Sequence, residues 1–365
     1  MYSKPGFDKT LSHDEIRSAP KVVLHEHLDG GLRPATLIEI ADKIGHKLPK
    51  TEPEALADWF YDAADSGSLE RYLETFKHTV AAMQTADHCF RIASEAVQDL
   101  ANDGVVYAEL RYAPEQQLEE HMTLEGVVEA TLAGFEEGER QAAKNGKRIT
   151  ARTLLCGMRH TERTLEIAKL AVAYRDKGVV GFDIAGGEIG NPPEHHLKAF
   201  EYLRRESMPF TIHAGESVGP ESIWGAVNIC GASRIGHGIK IMEDIDVSGL
   251  APQLGRIAEY IRDQRITLEV APSSNLQTGG AAIMEQHPIN ELYKLGFRVT
   301  VNNDNRLMSR TNVSREFQLL SETFGWGWSE VRRCTENAIE SSFLHLPERR
   351  LILDEVIRPA YAALE

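Results

Sequence analysis

The stretch Val22-Val23-Leu24-His25-Glu26-His27-Leu28-Asp29-Gly30-Gly31 places two histidines directly after three apolar residues. Side chains alternate along a strand, so His25 and His27 would share one face there, whereas on a helix the two imidazoles would diverge by about 200°. The pattern therefore predicts a strand over Lys21–Leu24 with a pair of metal-ligating histidines at its end. Two partly solvated histidines at a strand end are the alternative that this stretch alone leaves open.

The composition is that of an ordinary globular chain of 365 residues, 42% apolar and 26% charged. Its 40 basic and 55 acidic residues give a formal charge of −15, which repels phosphate backbones and anionic lipid, so we expect neither nucleic acid nor a membrane as a partner. The four cysteines form no CxxC pair, which indicates a reduced compartment and no sulfur-ligated metal. The N-terminus lacks the apolar core of a signal peptide, so we expect a cytoplasmic protein. The sequence predicts no oligomeric state.

Short β-rich runs alternate with helical patterns along the chain, which is typical of βα units around a parallel sheet. The runs that predict strands are Lys21–Leu24, Val105–Tyr112, Ala151–Cys156, Val179–Ile184, Pro209–His213, Ser233–Gly236, Ile266–Val270 and Arg298–Asn302. The segments that predict helices include His88–Asp103, Leu124–Asn145, Arg163–Lys177, His195–Ser207, Ile241–Gln264 and Asn290–Leu295. Eight parallel strands with helical crossovers predict an α/β fold, a closed (β/α)8 (TIM) barrel in one domain spanning residues 1–365, with further helices from Ser314 onward.

A long insertion, Arg33 to about Leu100, separates the first predicted strand from the second. Within it, the segment Ser68–Met83 places apolar residues at helical spacing, namely Leu69, Tyr72, Leu73, Phe76 and Val80. Core packing is the favoured interpretation of this stripe. A substrate lid is the alternative, because loops that follow the strands build the active site in a barrel of this type.

Further polar residues follow the ends of the later strands. His213 and Glu216 follow the fifth, His237 the sixth and Asp304 the eighth. Three histidines and one carboxylate suit a divalent transition metal, zinc first, and leave room for a water. Taken singly, each residue has another interpretation: a buried hydrogen-bonded imidazole, a carboxylate at the start of a helix, or a turn residue. His195 and His196, in a polar helix start, are expected to face solvent.

The chain resembles the adenosine deaminases of the amidohydrolase superfamily over nearly the whole predicted barrel. The matching stretches are LHEHLDGGL, FDIAGGE, HAGE, RIGHG, PSSNLQTG and NNDN, at or after the first, fourth, fifth, sixth, seventh and eighth strands. The resemblance implies hydrolytic deamination of adenosine, and of 2′-deoxyadenosine, to the inosine product and ammonia in purine salvage.

The same resemblance assigns roles to individual residues. It implies that one zinc ion is bound by His25, His27, His213 and Asp304. It implies that Glu216 handles the proton at purine N1, and that His237 orients or deprotonates the attacking water. The residues that it places against a purine nucleoside are Asp29 at the ribose 5′ hydroxyl, the backbone of Gly186 at N3, and Tyr72 and Phe76 as an apolar gate. It also places Ser274 next to the metal site.

The chain departs from the family pattern after Asp304. The family usually has a second aspartate, which touches purine N7, followed by proline, whereas this chain has Asn305 and Arg306. An amide can donate a hydrogen bond to N7, so Asn305 is expected to keep this role, although purine preference could differ. The family's GDE triplet is also altered, to Gly186-Gly187-Glu188.

Three other functions stay open on the sequence alone. The same machinery could act on another aminopurine, such as adenine or a 5′-modified adenosine. A two-metal amidohydrolase would need a bridging residue at the fourth strand, where Asp183 is available. A deaminase-like binding protein would be marked by degraded ligands, and all four predicted ligands are intact.

Overall fold

The structure is a computed structural model that describes residues 10–249 and 251–364. Eight strands run in parallel, and we number them β1 to β8 in chain order: Lys21–His27, Val105–Tyr112, Thr150–Met158, Val179–Ala185, Thr211–Ala214, Arg234–His237, Thr267–Val270 and Val299–Val301. They form two four-stranded sheets, in the orders β1-β2-β3-β4 and β8-β7-β6-β5. Parallel bridges from Glu26 to Asp304 and from Phe182 to Phe210 join the two sheets at both edges. The predicted (β/α)8 barrel is therefore confirmed.

Helices cover the outside of the barrel and fill two long additions to it. The α-helices, α1 to α17 in chain order, are His13–Ser18, Pro34–Ile44, Pro53–Ala64, Leu69–Leu73, Phe76–Ala81, Ala86–Asn102, Leu124–Lys144, Thr164–Ala173, Leu197–Arg205, Pro220–Trp224, Arg256–Asp263, Pro272–Gln277, Ile289–Lys294, Val313–Phe324, Trp328–Ser341, Leu346–Ile352 and Arg358–Ala362. Helices α2 to α6 lie between β1 and β2, and α14 to α17 follow β8, as the sequence predicted.

The barrel strands are buried along their whole inner length, but the interior is not purely apolar. Arg111 places its Nη1 2.6 Å from Asp183 Oδ2 and its Nη2 2.8 Å from Glu269 Oε2. Arg234 reaches Glu109 at 2.5 Å and Glu269 at 2.6 Å. These five side chains are buried, so each charge depends on its partners in place of water. This buried ion-pair layer lies directly below the ends of the strands that carry the predicted site residues.

Two predicted helices are wrong in part. Among the described residues of Ile241–Gln264, the α-helix is limited to Arg256–Asp263, because a short 3-10 helix ends at Asp244 and Ile245–Asp246 then pairs with Gln253–Leu254 as an antiparallel hairpin. Gly249 and Pro252 lie within that hairpin, and both residues disfavour a helix interior. The segment Ser68–Met83 is divided into α4 and α5.

Other details concern the end of the first strand and the burial of cysteine and histidine side chains. The first strand continues beyond Leu24 to His27, so the two histidines lie within it. The four cysteines are free and buried. His196, expected to face solvent, is buried and bonds through its ring nitrogens to Thr164 Oγ1 at 2.7 Å and to the carbonyl of Arg159 at 3.0 Å.

Among the described helices, none is both long enough and apolar enough to cross a membrane.

Candidate active site

The side chains predicted to bind metal converge at the carboxyl ends of the strands. Asp304 Oδ1 lies 3.3 Å from His25 Nε2 and 3.3 Å from His27 Nε2. His213 Nε2 lies 3.2 Å from His27 Nε2. The alternation along β1 does place both histidines on one face, as expected.

The spacing of the ligand atoms of His25, His27 and Asp304 fits a single metal ion, and His213 adjoins this group through His27. Around a tetrahedral zinc with bonds of about 2.0–2.1 Å, neighbouring ligand atoms lie about 3.3 Å apart. Moreover, His25 Nε2 and Asp304 Oδ1 are buried atoms that have no hydrogen-bond partner among the described residues. Buried polar atoms without partners are costly, and a cation would satisfy both. This His/Asp group can therefore hold a metal ion.

A second layer of carboxylates and hydroxyls orients the metal-ligating groups. His25 Nδ1 lies 3.1 Å from Glu269 Oε2, and His213 Nδ1 lies 2.8 Å from Asp183 Oδ2. Partners of this kind fix which ring nitrogen carries the proton and leave the other nitrogen free for a metal. Ser274 donates its hydroxyl to Asp304 Oδ2 at 2.6 Å, which leaves Oδ1 facing the histidines.

The backbone is unusual at two of these residues. His237 and Asp304 have φ of 64° and 61°, in the left-handed region that residues other than glycine rarely occupy. The preceding glycine, Gly236, permits close packing, since a Cβ there would lie 3.1 Å from Cε1 of His25. Such conformations cost free energy, and here they turn two polar side chains toward one point.

A chain of hydrogen bonds fixes the proton on His237. The backbone N–H of Ile289 donates to His287 Nδ1 at 3.1 Å, so His287 Nε2 carries a proton and donates to Asn275 Oδ1 at 3.3 Å. The amide group of Asn275 then donates from Nδ2 to His237 Nδ1 at 3.0 Å. Burial lowers the pKa of His237 well below its ordinary value, so the ring is neutral. With Nδ1 accepting, its proton is on Nε2, 3.5 Å from Glu216 Oε2.

Glu216 is set up as a proton donor. It is buried, and burial raises its pKa well above the ordinary value, with the nearby carboxylates of Asp304 and Glu188 acting in the same direction. A carboxyl group with a raised pKa keeps its proton at neutral pH.

Glu188 is a residue whose importance the sequence did not reveal. Its carboxylate accepts hydrogen bonds from four successive backbone N–H groups, those of residues 215 to 218, at 2.7, 3.2, 2.7 and 2.9 Å. It also accepts the hydroxyl of Ser222 at 2.5 Å. The loop that carries Glu216 is therefore wrapped around this one carboxylate. The available signal was an acidic residue directly after two glycines at the end of a buried strand.

The residues predicted to contact substrate surround one cavity of about 210 Å³ beside the metal-ligating group. Its lining includes Asp29, Tyr72, Phe76, Gly186 and Asn305. Leu69 and Leu73 of the predicted stripe line it as well, so the stripe forms a wall of the cavity while Tyr72 also packs in the core. None of the described residues that line this cavity is a lysine or an arginine.

Asn305 and Arg306, where the chain departs from the family pattern, are both held in place. Asn305 packs its Oδ1 against Gly30, where a Cβ would lie only 1.8 Å away, and this directs the NH2 group elsewhere. Arg306 Nε lies 2.5 Å from Glu26 Oε1, and its Nη1 lies 3.3 Å from Asp99. The arginine therefore ties the loop after β8 to β1 and to helix α6.

Comparisons with known proteins agree with this site. A family model described as adenosine deaminase matches residues 20–359. The chain is 58% identical over 359 residues to adenosine deaminase 1 of Streptomyces coelicolor, covering 98% of this chain and 91% of that one. It is 56% identical over 352 residues to an adenosine deaminase of Mycobacteroides abscessus, covering 96% and 97%. A solved Arabidopsis N6-mAMP deaminase superposes with a TM-score of 0.80 at 26% identity, covering 96% of this chain and 99% of that one. The chain therefore belongs to the adenosine deaminase family.

Proposed function

We propose that this protein is a zinc-dependent adenosine deaminase, which hydrolyses adenosine and 2′-deoxyadenosine to inosine or deoxyinosine plus ammonia in purine salvage. The observation that carries the proposal is the placement of the protonated Glu216 beside three histidines and Asp304, at the wall of a cavity without cationic residues. The names of the relatives at 56–58% identity support the same activity. The substrate is a small purine nucleoside, and residues 1–365 would act as one catalytic domain.

We infer one zinc ion per chain, held by His25, His27, His213 and Asp304. The donor set of three neutral imidazoles and one carboxylate is typical of zinc and leaves a position for water. When bound, the ion supplies a nucleophile at neutral pH by lowering the pKa of a coordinated water. Asp183 does not favour a second metal, because its Oδ2 already serves Arg111 at 2.6 Å and His213 at 2.8 Å.

Two side chains complete the proposed chemistry. Water adds to C6 of the purine, and Glu216 donates its proton to N1 as the ring loses its aromaticity. The carboxylate of Glu216 then takes up the proton that the added water releases and passes it to the amino group, which leaves as ammonia. The proton of the C6 hydroxyl returns to Glu216 as the carbonyl forms. His237 orients the attacking water and stabilises the developing charge by donating from Nε2, since Nδ1 already accepts from Asn275. Between the two roles that the resemblance implied for His237, the hydrogen-bond chain favours orientation over deprotonation.

The cavity also favours a nucleoside among the possible aminopurines. A 5′-phosphate would require cations, and the described lining offers Asp29 where the ribose 5′ hydroxyl is expected. Adenine would leave Asp29 without a partner, because it has no ribose. Gly186, with φ of 105°, and the amide of Asn305 are proposed to contact N3 and N7 of the ring.

The proposal is tested by a spectrophotometric screen of adenosine, 2′-deoxyadenosine, adenine and 5′-substituted adenosines, with metal analysis of the same sample. We expect adenosine and 2′-deoxyadenosine to be deaminated fastest and one zinc to be found per chain. Asp304→Ala should lose most of the metal and the activity, whereas Glu259→Gln, a change on the exposed face of α11, should lose neither. Two tightly bound metals per chain, or full activity after thorough chelation, would contradict the proposal.

A further inference from the structure

A second cavity, of about 290 Å³, lies at the opposite end of the barrel from the active site. It is bounded by the residues that precede β5 to β8 and by the segment between α15 and α16. Its lining contains four arginines, Arg234, Arg265, Arg298 and Arg349, and we call it the arginine cavity. No aspartate or glutamate is among the described residues that line it.

The positive charge of the arginine cavity is only partly neutralised. Arg234 is paired with two buried glutamates and lies over the ring of Phe343, 3.6 Å from its centroid. Arg298 reaches Glu340 Oε2 at 2.7 Å. Arg265 and Arg349 donate from Nη1 to backbone carbonyls, at 3.1 and 2.6 Å. Of these last three arginines, Arg298 alone has a carboxylate partner among the described residues.

The mutual repulsion of these groups is visible at Arg298. Burial lowers the pKa of Arg298, and the neighbouring Arg265, Arg333 and Arg349 lower it further, against the opposing effect of Glu340. Like charges held this close at a partly buried position are unfavourable unless an anion joins them. The described lining contains no carboxylate, although the chain as a whole has a formal charge of −15.

Two donors in the arginine cavity also lack acceptors. The Nε atoms of Arg298 and Arg349 are buried and have no hydrogen-bond partner among the described residues. These two atoms are closed to solvent, so they add to the free-energy cost of the clustered arginines, which an oxygen-rich anion in the cavity would offset through its charge. Guanidinium groups match phosphate oxygens in pairs, which gives such a ligand both charge and geometry.

We propose that the arginine cavity is a binding site for a small phosphate-bearing anion, separate from the active site. The excess of guanidinium groups and the cavity that they line together point to one ligand class. The ligand is a free metabolite and not a nucleic acid, because the acidic surface of the chain repels long polyanions. The active-site cavity, which has no lysine or arginine in its described lining, offers no comparable site.

The test is isothermal titration of the zinc-loaded protein with inorganic phosphate and, separately, with ribose 5-phosphate. Ionic strength is held constant with chloride, and inosine is present to fill the active site. We expect saturable binding of one anion per chain. Tighter binding of ribose 5-phosphate would identify an organic phosphate as the ligand, and equal binding would identify phosphate itself.

Variants then locate the site. Arg298→Gln combined with Arg349→Gln should weaken binding at least about tenfold, because two charged donors are lost. Arg298→Lys keeps the charge but not the paired donors and should fall in between, which preserves the test if the double variant does not fold. Arg140→Gln, at an exposed arginine paired with Glu137, should bind as the parent does. Absence of saturable binding, or unchanged affinity in both Arg298 variants, would overturn the proposal.

Discussion

Two buried glutamates, Glu216 at the rim of the barrel and Glu269 in its interior, have opposite protonation behaviour. Burial, together with the carboxylates of Asp304 and Glu188, raises the pKa of Glu216 well above its ordinary value. Glu269 is equally buried, yet the guanidinium groups of Arg111 and Arg234 hold its pKa well below the ordinary value. The difference shows that the partners, and not burial itself, decide whether a carboxyl group is an acid to be used or a fixed charge.

The same contrast extends to the two regions around these residues. In the ion-pair layer, each carboxylate meets at least one guanidinium group at 2.5–2.8 Å. At the rim, atoms of His25, Asp304 and Asn305 are buried and have no hydrogen-bond partner in the part of the chain that the structure describes. Paired charges stabilise one structure, even though Arg111 Nε lacks a partner among the described residues, whereas unsatisfied polar atoms around a cavity are available for a ligand.

The strongest test of this comparison is Glu216→Gln. An amide cannot give its proton to N1, so turnover should fall by about 10²–10⁴, the usual contribution of a positioned general acid. Metal content should not change, and substrate binding should weaken less than turnover because an amide still donates a hydrogen bond. Steady-state kinetics with metal analysis measures all three, and near-normal turnover would assign the proton transfer to another residue.

The stability of the same variant should depend on pH with a definite sign. Since the folded-state pKa of Glu216 is raised, its contribution to stability is complete below the unfolded value of about 4.5 and is lost as the pH rises toward the folded value. The amide of Glu216→Gln does not titrate, so the variant lacks this pH-dependent loss of stability. In urea unfolding of the metal-free protein, the variant should therefore gain stability relative to the parent between pH 5 and pH 7, at roughly constant m-value.

Glu269→Gln should have the opposite profile. It removes one carboxylate shared by Arg111, Arg234 and His25, and breaking a buried ion pair costs about 3–5 kcal/mol. Because the folded-state pKa of Glu269 is lowered, the stabilisation is present above pH 4.5 and is lost only as the pH falls through the folded value. Urea unfolding at pH 7 measures the loss, with the exposed Glu259→Gln as the matched control. A loss no larger than the control's would show that the interior charges are dispensable.

Glu188→Gln tests the support of the loop that carries Glu216. An amide would direct N–H groups against the four backbone donors of residues 215–218, so the loop should shift and Glu216 with it. We expect kcat to fall about 10–100-fold, the usual effect of removing a supporting hydrogen-bond partner, while KM and metal content change little. Glu188→Asp, which keeps the charge, should recover part of the loss. A change in KM alone would show that the loop shapes the cavity without positioning the acid.

The barrel and the chemistry of its rim could be predicted from the sequence because both depend on local patterns. Short buried strands alternate with helices, and polar residues follow the strand ends, so parallel topology alone brings His25 and Asp304 together. Segment Ile241–Gln264 was predicted wrongly because Ile, Met and Val occur at helical spacing in a stretch that Gly249 and Pro252 divide.

The partners behind the site could not be predicted, because they depend on contacts between distant parts of the chain. Glu269 is the one charged residue of its strand, and nothing local indicates that its partners are Arg111, Arg234 and His25. The hydrogen-bond chain that protonates His237 on Nε2 likewise begins at Ile289, far along the sequence. A charged residue in a mostly apolar strand is the sequence signal of such a buried network, although the sequence does not show which residues are its partners.

The smallest expected effect concerns Asn305, which belongs to the unsatisfied rim. Its Oδ1 packs against Gly30 and the residue lines the active-site cavity, so its NH2 is the donor that we expect at purine N7. Asparagine offers this donor at any pH, whereas aspartate must first take up a proton, at a cost that grows as the pH rises. Asn305→Asp should therefore bind adenosine more weakly toward alkaline pH, by about 1–3 kcal/mol, the cost of a buried polar group left unpaired.

The substrate side supplies the matching measurement for Asn305. A 7-deaza analogue of adenosine has no acceptor at position 7, so it should bind the parent protein more weakly than adenosine by a similar amount. It should bind Asn305→Asp with little dependence on pH, because the analogue has no nitrogen lone pair at position 7 for the carboxylate to repel. The competition constants of both ligands, measured across pH in both proteins, form a double-mutant cycle between residue and ring atom. If adenosine and the analogue bind the parent equally well, Asn305 does not contact N7, and packing against Gly30 is then its whole function.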